Sequence, residues 1–311
     1  MRIFELDNVC GIKSPVVTMG AFDGVHRGHA MLLARLREKA AELGGESVVV
    51  TFRPHPKLVL GKFSSTISLL TSNEEKLFLL REAGIDNTVI LDFNDELMQM
   101  EACDFIEKIL SGRLGMKHLV VGFDHRFGRG GSGDFSEISE CSERLGFGVE
   151  RVGSLKTDRG VVSSTGIRDA LSAGDLAGAN EMLGYSYFLR GTIVAGRKLG
   201  RSIGFPTANV SPDFPHKLLP GVGVYAVSVR FNGDQYQGMA NIGYRPTFNE
   251  ISALKSVEVH IFNFDQQIYG QSVQLSFHHR LRDEMKFPSA EALRQQLIID
   301  RNDAERVLKG M

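Results

Sequence analysis

The feature that most constrains this chain is an apolar run that leads through a glycine-rich turn into an amphipathic stretch. Residues 15–19 predict a buried strand, and residues 30–37 carry apolar side chains at helical spacing. The segment between them, GAFDGVHRGH, includes Gly20, Gly24 and Gly28. Glycine permits backbone conformations that other residues resist and lets a ligand approach the main chain. The sequence therefore predicts a strand, a turn and a helix whose N-terminus is suited to bind phosphate.

His26 and His29 lie three residues apart in this segment, so their imidazoles share one helix face and can contact one ligand together. A histidine pair at a helix N-terminus suits stabilisation of the charge that grows on phosphorus during displacement. The alternatives are a surface pair and half of a metal site. Metal binding is disfavoured because no nearby Cys, Asp or Glu completes a ligand set at a usual spacing. We therefore interpret the segment as a phosphate site.

Strand-like and helix-like segments alternate up to about residue 183. Such alternation indicates a parallel sheet covered by helices, in which ligands bind beyond the carboxyl ends of the strands. The predicted strands are residues 15–19, 47–52, 87–91, 118–122 and 148–152. The predicted helices are residues 30–37, 72–81, 95–110, 136–145 and 175–183, the second of them opened by a capping box at Ser72–Glu75.

Three further motifs lie at strand ends or at a helix start. His55 stands between two prolines after the second strand, and from this motif alone a rigid loop with an exposed histidine is favoured over a ligand site. Asp124 follows the fourth strand, ahead of a glycine-rich loop that suits a phosphate clamp or a plain surface loop. Residues 162–168, VSSTGIR, place hydroxyls and Arg168 at a helix start. They predict a second anion site, with an ordinary helix cap as the alternative.

Composition sets the remaining limits. A chain of 311 residues is long enough for two domains, and a net charge of −1 gives no general attraction to nucleic acid or membranes. Three widely spaced cysteines suggest neither a disulfide framework nor a zinc site. No apolar run approaches a membrane span, and the first residues lack a signal peptide. We expect a cytoplasmic protein with small-molecule partners, and the sequence leaves a homo-oligomer open.

From Tyr185 the pattern changes to alternating segments rich in β-branched and aromatic residues. They predict antiparallel strands of a small barrel, followed by a helix after Pro288. The predicted strands are residues 187–194, 223–231, 235–241, 256–264 and 272–279. The expected fold is therefore an α/β domain over residues 1–183 and an antiparallel β-barrel with a terminal helix over residues 184–311.

Residues 196–209 of the second domain, GRKLGRSIGFPTAN, combine glycines with cations that can wrap a triphosphate. A basic hairpin loop is the alternative, and the order of residues is not that of a P-loop. Glu258 alternates with Val257 and Val259 on a predicted strand. From the pattern alone, an outward-facing polar residue is the favoured interpretation of this glutamate.

Several of these motifs resemble family signatures. GAFDGVHRGH resembles the HxGH signature of the nucleotidyltransferase superfamily and, in its longer form, the flavin adenylyltransferase half of the bacterial bifunctional riboflavin kinase/FAD synthetase family. VSSTGIR resembles the ISSTxIR signature that accompanies HxGH. GFPTAN resembles the riboflavin kinase signature. The departures are Ala195, where related sequences often carry His, and His125, where Phe is frequent.

The resemblance implies a Rossmann-like first domain that converts ATP and FMN to FAD and pyrophosphate, and a second domain that phosphorylates riboflavin to FMN, both with Mg²⁺. The ionised FMN phosphate needs no base, whereas the 5′-hydroxyl of riboflavin does. The implied catalytic residues are His26, His29, Asp124, Arg168 and Glu258. The implied nucleotide and flavin contacts are Gly20, Phe22, Asp23, Gly24, Gly28, His55, Ser163, Ser164, Thr165, Gly196, Lys198, Gly204, Phe205, Pro206 and Arg282. The implied Mg²⁺ ligands are the neutral oxygens of Thr207 and Asn209.

Three alternative functions remain open from the sequence. A nucleotidyltransferase for another phosphate acceptor accounts for His26 and His29 but leaves GFPTAN unexplained. A non-catalytic flavin- or nucleotide-binding regulator would keep both pockets. An oligonucleotide-binding barrel is disfavoured by the net charge and by the absence of Trp.

Overall fold

The computed structural model describes residues 1–61, 67–196, 200, 203–244 and 255–309. The chain forms two compact units. The first comprises Met1–Ile67 and Thr71–Ser163, and the second comprises Ser68–Leu70 and Ser164–Met311. The predicted domain boundary after residue 183 stays a prediction.

The described residues of the first unit contain a six-stranded sheet in which every pairing is parallel, with the strand order β1-β4-β3-β2-β5-β6. Its strands are β1 Arg2–Glu5, β2 Val16–Met19, β3 Ser47–Arg53, β4 Asn87–Asp92, β5 His118–Gly122 and β6 Gly148–Val152. Its helices are α1 Arg27–Glu42, α2 Pro56–Leu60, α3 Asn73–Glu82, α4 Asp95–Gln99, α5 Ala102–Phe105 and α6 Phe135–Leu145. A two-stranded ribbon of β7 Lys156–Thr157 and β8 Gly160–Val161 follows.

Alternate residues of the central strands pack on opposite faces of this sheet. Val17 and Val48 belong to one buried apolar cluster with α5 and α6, whereas Val16 and Val49 belong to another with α1. Both faces are therefore covered, which explains why the strands read as continuous apolar runs rather than as an alternation.

The predicted long helix over residues 95–110 is wrong, because the chain breaks it at Met100. This residue is extended, with φ −72° and ψ 130°, and its carbonyl accepts a hydrogen bond from Arg129 N at 2.9 Å. The helix continues as α5 and then as a π-helical turn, Ile106–Ser111. A contact from the distant 129–131 turn, which local periodicity does not reveal, therefore replaces one helical hydrogen bond.

The cysteine spacing suggests no disulfide framework, and the described residues contain one disulfide. Cys103 on α5 and Cys141 on α6 are joined, with Cα atoms 5.9 Å apart. They are 38 residues apart in sequence, and they meet because α5 and α6 pack side by side against the sheet.

The second unit is built on a closed antiparallel barrel whose described strands follow the order β10-β13-β12-β11-β14-β9. These are β9 Phe188–Val194, β10 Ala208–Pro212, β11 Gly223–Phe231, β12 Asp234–Tyr244, β13 Lys255–Ile261 and β14 Ser272–Arg282. Its helices are α7 Ser164–Ala173, α8 Leu176–Leu183 and the terminal α9 Ala290–Leu308. The predicted fold class is confirmed. The sequence did not predict four short strands, β1, β7, β8 and β10.

Candidate functional site

The turn after β2 continues the sheet for one residue and then winds tightly. Gly20 N donates to Val50 O at 3.0 Å, as a strand residue would. Phe22 and Val25 have positive φ angles of 50° and 37°, and Gly24 has 84°. The turn ends at the first residues of α1, whose N-cap is His26. This geometry carries the chain from the sheet edge directly to the helix N-terminus.

The two histidines of the turn lie against each other. Their rings stack with centroids 3.7 Å apart and planes 15° from parallel. His29 N donates to His26 Nδ1 at 3.3 Å, which leaves the proton of a neutral His26 on Nε2. A Cβ on Gly28 would lie 3.2 Å from the His26 ring, so this position is most easily occupied by glycine.

Burial, and then the neighbouring His26, lower the pKa of His29 well below its usual value. The His29 imidazole is therefore neutral near pH 7 and carries a single N–H. Its Nδ1 is buried and makes no hydrogen bond to any residue that the structure describes. Phe22 packs at 5.0 Å between ring centroids on the same imidazole. The pair can present N–H donors to a phosphate without bringing two full positive charges into contact.

Predicted site residues follow three neighbouring strands at their carboxyl ends. His26 and His29 follow β2, His55 follows β3, and Asp124 follows β5. The chain passes from β2 to β3 on one side and later to β5 on the other, so β2 and β5 flank the topological switch point of the sheet. Open α/β sheets bind their ligands in the crevice at such a point.

The residues of this edge differ in exposure. Asp124 is exposed, and His55 caps α2 by accepting from Lys57 N at 3.1 Å. Asp23 is buried and accepts from Thr71 N at 3.1 Å. Asp23 therefore stabilises the turn through a buried hydrogen bond to Thr71.

The SSTGIR segment opens α7. Ser163 precedes the helix, Ser164 is its first residue, and Arg168 donates from Nη2 to Thr165 Oγ1 at 3.2 Å. Hydroxyls and a guanidinium are thus grouped on the first turn of a helix, which is the arrangement that the sequence predicts for an anion site.

In the barrel, three polar residues form a row across adjacent strands. Glu258 on β13 lies opposite Asn209 on β10 and opposite Asn241 on β12. Directly opposed residues of an antiparallel pair point to the same face of the sheet. Glu258 therefore stands between two amides rather than among apolar side chains. Asn241 belongs to this row, and the sequence analysis does not name it as a candidate site residue.

His260 connects this row to the GFPTAN segment. It lies two residues after Glu258 on β13, hence on the same face, and its Nδ1 lies 2.7 Å from Pro206 O. The carbonyl oxygen can only accept, so the imidazole donates and its proton is on Nδ1. Burial lowers the pKa of His260. Of the remaining residues, Phe205 is buried, Gly204 has φ 82°, and Lys198 lies outside the described residues.

Two cavities meet at Thr207. The larger, about 470 Å³, is lined by Glu258, Asn241 and His260 on one side and by apolar residues of the barrel and α9 on the other. The smaller, about 140 Å³, is lined by Pro206, Ala208 and the 264–269 loop. Thr207 lines both. Two ligands bound side by side would therefore approach each other at the threonine of the GFPTAN segment.

Arg282 lines the larger cavity but is held by the terminal helix. Its Nε donates to Asp300 Oδ1 at 2.8 Å and its Nη2 to Asp300 Oδ2 at 2.7 Å. Gln296 donates to the same carboxylate at 2.9 Å, and Arg282 Nη1 donates to Asp283 O at 2.8 Å. The guanidinium is thus oriented by α9, and its predicted ligand contact stays a prediction.

Replacing Asp300 with Ala is expected to lower the free energy of unfolding of the second unit by about 3–5 kcal/mol, because Arg282 would keep a largely buried charge without its carboxylate. Asp300 and Arg282 side chains are only 3% and 17% exposed. Urea unfolding would measure the loss. The matched control is Asp303→Ala, which removes a surface pair with Arg306 on the same helix and should change little. If both substitutions lowered the free energy of unfolding equally, the buried ion pair of Asp300 with Arg282 would not be the source of the stabilisation.

The fold and these two sites define a class: a two-domain enzyme that joins a nucleotidyltransferase-type α/β unit to a kinase-type barrel. The sequence matches the FAD synthetase family over residues 12–166 and the riboflavin kinase family over residues 183–308. It is 36% identical over 288 residues to the bifunctional riboflavin kinase/FMN adenylyltransferase of Listeria monocytogenes, covering 93% of this chain and 90% of that protein. With the enzyme of the same name from Haemophilus influenzae it shares 40% identity over 288 residues, 92% of each chain. The chain belongs to the family of bifunctional riboflavin kinase/FMN adenylyltransferases.

A solved structure supports the fold over the full length. The crystal structure of a macrolide-efflux protein from Streptococcus pneumoniae aligns with a TM-score of 0.90 and 29% identity over 98% of this chain and 99% of that one. Within the described part of this chain, no helix is both long and apolar enough to cross a membrane. The predicted family, the predicted fold class and the prediction of a bifunctional enzyme of flavin cofactor synthesis are confirmed.

Proposed function

We propose that riboflavin is phosphorylated at the point where the two barrel cavities meet. The larger cavity is mostly apolar with a few convergent polar groups, which suits the flavin ring. The smaller cavity suits the nucleoside part of ATP, with its phosphates directed to Thr207. The shared wall at Thr207 is the observation that carries this proposal, since phosphoryl transfer requires the two substrates to be in line and close.

In this arrangement Glu258 is the general base. It accepts the proton of the ribityl 5′-hydroxyl as that oxygen bonds to the γ-phosphorus of ATP, and the bond from phosphorus to the β–γ bridging oxygen breaks to release ADP. The two amides beside Glu258, Asn209 and Asn241, orient the carboxylate without competing for the proton as a second acid would.

Thr207 and Asn209 are proposed to hold Mg²⁺ through a hydroxyl and an amide oxygen. The described residues contain no group of three or more His, Cys, Asp or Glu side chains that could hold a metal ion. A site of neutral oxygens fits an ion that takes its remaining ligands from ATP phosphates and water. A Cβ on Gly196 would lie 2.1 Å from Asn209 Nδ2, so glycine leaves room for that amide. When bound, Mg²⁺ neutralises phosphate charge.

We further propose that FMN is adenylylated at the turn after β2. A phosphate oxygen of FMN bonds to the α-phosphorus of ATP, and the bond to the α–β bridging oxygen breaks to release pyrophosphate. His26 and His29 donate N–H groups to the α-phosphate as its charge grows, and no base is required. The observation in support is the stacked pair, in which His26 carries its proton on Nε2 and His29 is neutral.

The roles of the remaining residues rest on the family resemblance. Ser164, Thr165 and Arg168 are proposed to bind the leaving pyrophosphate. Asp124 is proposed as a further residue of the adenylylation site. A location in the cytoplasm, the absence of nucleic-acid partners and self-association into a homo-oligomer also stay predictions.

A product time course tests the proposal as a whole. With riboflavin, ATP and Mg²⁺, FMN should rise first and FAD should follow as FMN is consumed. Chromatographic separation of the three flavins would measure both steps. Omission of Mg²⁺ should stop both. Tight flavin binding without turnover would contradict the proposal and indicate a non-catalytic regulator.

A further inference from the structure

The turn after β2 adopts a backbone that its own sequence does not favour. Phe22 and Val25 both have positive φ angles, a region that costs energy for residues with a Cβ, above all for a β-branched residue such as valine. Such a conformation persists only where the surroundings hold it. The histidines follow immediately, so whatever holds residues 21–25 also sets the position of His26 and His29.

The residues just before α3 stabilise one side of this turn through hydrogen bonds of Thr71. Thr71 Oγ1 accepts from Gly24 N at 3.1 Å, and Thr71 N donates to Asp23 Oδ1 at 3.1 Å. The start of α3 is itself fixed by a capping box, in which Ser72 Oγ accepts from Glu75 N and Glu75 Oε2 accepts from Ser72 N. One side of the turn is therefore attached to a rigid helix start.

Lys76, on the first turn of α3, contacts the other side of the histidine turn. Its side chain is buried, with only 4% of the residue exposed. The ammonium donates to Thr51 Oγ1 at 2.9 Å and to the carbonyls of Ala21 and Phe52 at 3.4 Å each. Three acceptors thus match the three N–H groups of a charged lysine. Ala21 begins the histidine turn, and Phe52 lies three residues before His55.

We propose that Lys76 is a positioning residue for FMN adenylylation, which holds the carboxyl ends of β2 and β3 together so that the histidine turn stays in its strained, ligand-ready form. This inference rests on the proposed function of that turn. Lys76 acts through Ala21, Thr51 and Phe52. Sequence analysis did not single it out, because a lysine four residues after a helix cap resembles an ordinary surface residue.

The charge of Lys76 provides a signature that a purely structural residue would lack. Burial lowers its pKa to about 8, and the nearby Asp23 carboxylate partly opposes this shift. A neutral amine has two N–H groups for three acceptors, so FAD formation should fall as the pH rises through about 8. The pKa of Lys76 is lower in the folded than in the unfolded state. The contribution of Lys76 to folding therefore becomes more favourable as the pH rises through about 8. Loss of activity in that range would therefore not reflect unfolding caused by Lys76.

The test compares full-length Lys76→Met with the unmodified chain, using FMN and ATP with Mg²⁺. We expect kcat for FAD formation to fall about 100-fold at pH 7, as for a small displacement of reacting groups, with a smaller change in KM. The decline above pH 8 should disappear in the variant. Riboflavin phosphorylation by the same molecules should be unchanged. Lys108→Met, which removes an exposed lysine paired with Asp104, is the matched control and should behave as the unmodified chain.

Thr71→Val gives a second route if Lys76→Met fails to fold, which thermal unfolding would reveal. It removes the acceptor of Gly24 N and should also lower kcat for FAD formation. The positioning role would be overturned if a folded Lys76→Met chain formed FAD at the rate of the unmodified chain. It would also be overturned if the rate fell but still declined above pH 8. If His29→Ala abolishes FAD formation while Lys76→Met does not, the inference fails and the proposed function stands. If neither His29→Ala nor Lys76→Met affects FAD formation, the inference and the proposed function of the turn are both wrong.

Discussion

Glu258→Gln is expected to lower FMN formation from riboflavin by about 10²–10⁴-fold, the usual contribution of a general base. Glutamine keeps the size and the polarity of the side chain between the flanking amides, so the loss would report the missing proton acceptor rather than a rearranged cavity. Most of the effect should lie in kcat, because the flavin ring would still bind the apolar part of the cavity.

The measurement follows FMN from riboflavin and, separately, FAD from supplied FMN. The second reaction should proceed at the rate of the unmodified chain. Glu291→Gln, an exposed glutamate on α9, is the matched control for a change of one carboxylate to an amide. FMN formation at the normal rate by the Glu258 variant would exclude this residue as the base.

His29→Ala is expected to lower FAD formation by about 10²–10³-fold, the usual cost of removing one donor that faces developing charge. The pKa of His29 is held well below its usual value by burial, so the residue contributes an N–H donor rather than a full charge near neutral pH. With riboflavin as substrate, FMN should accumulate and remain unconverted, because riboflavin phosphorylation does not use this residue.

The control for this variant is His279→Ala, which removes an exposed imidazole from β14. It should leave both product curves unchanged. Loss of both activities in a folded His29→Ala chain would contradict the assignment of one reaction to each domain.

Contiguous motifs were the part of the site that the sequence could predict. The strand, the glycine-rich turn and the helix of the histidine segment are neighbours along the chain, and their patterns depend on local backbone preferences and on burial. For the same reason the capping box of Ser72 and Glu75 was predicted from four residues and is formed by both of its hydrogen bonds.

Errors occurred where a distant segment changes a local preference. The helix over residues 95–110 breaks because Arg129 N takes the carbonyl of Met100, and Cys103 meets Cys141 because two helices pack together. The short strand β10 carries Asn209 and ends at Pro212, so its pattern is too brief to stand out. Its place is set by pairing with β9 and β13.

The sequence by itself therefore determined the class of each domain, the order of the motifs and the residue types that we propose bear the chemistry, because periodicity, turns and caps depend on neighbours in the chain. Only the tertiary structure decided which side chains act together. The row of Asn209, Glu258 and Asn241, the bond from His260 to Pro206, and the buried Lys76 beneath the histidine turn arise from strand register and helix packing. These contacts join residues tens of positions apart, and no local pattern specifies such pairs.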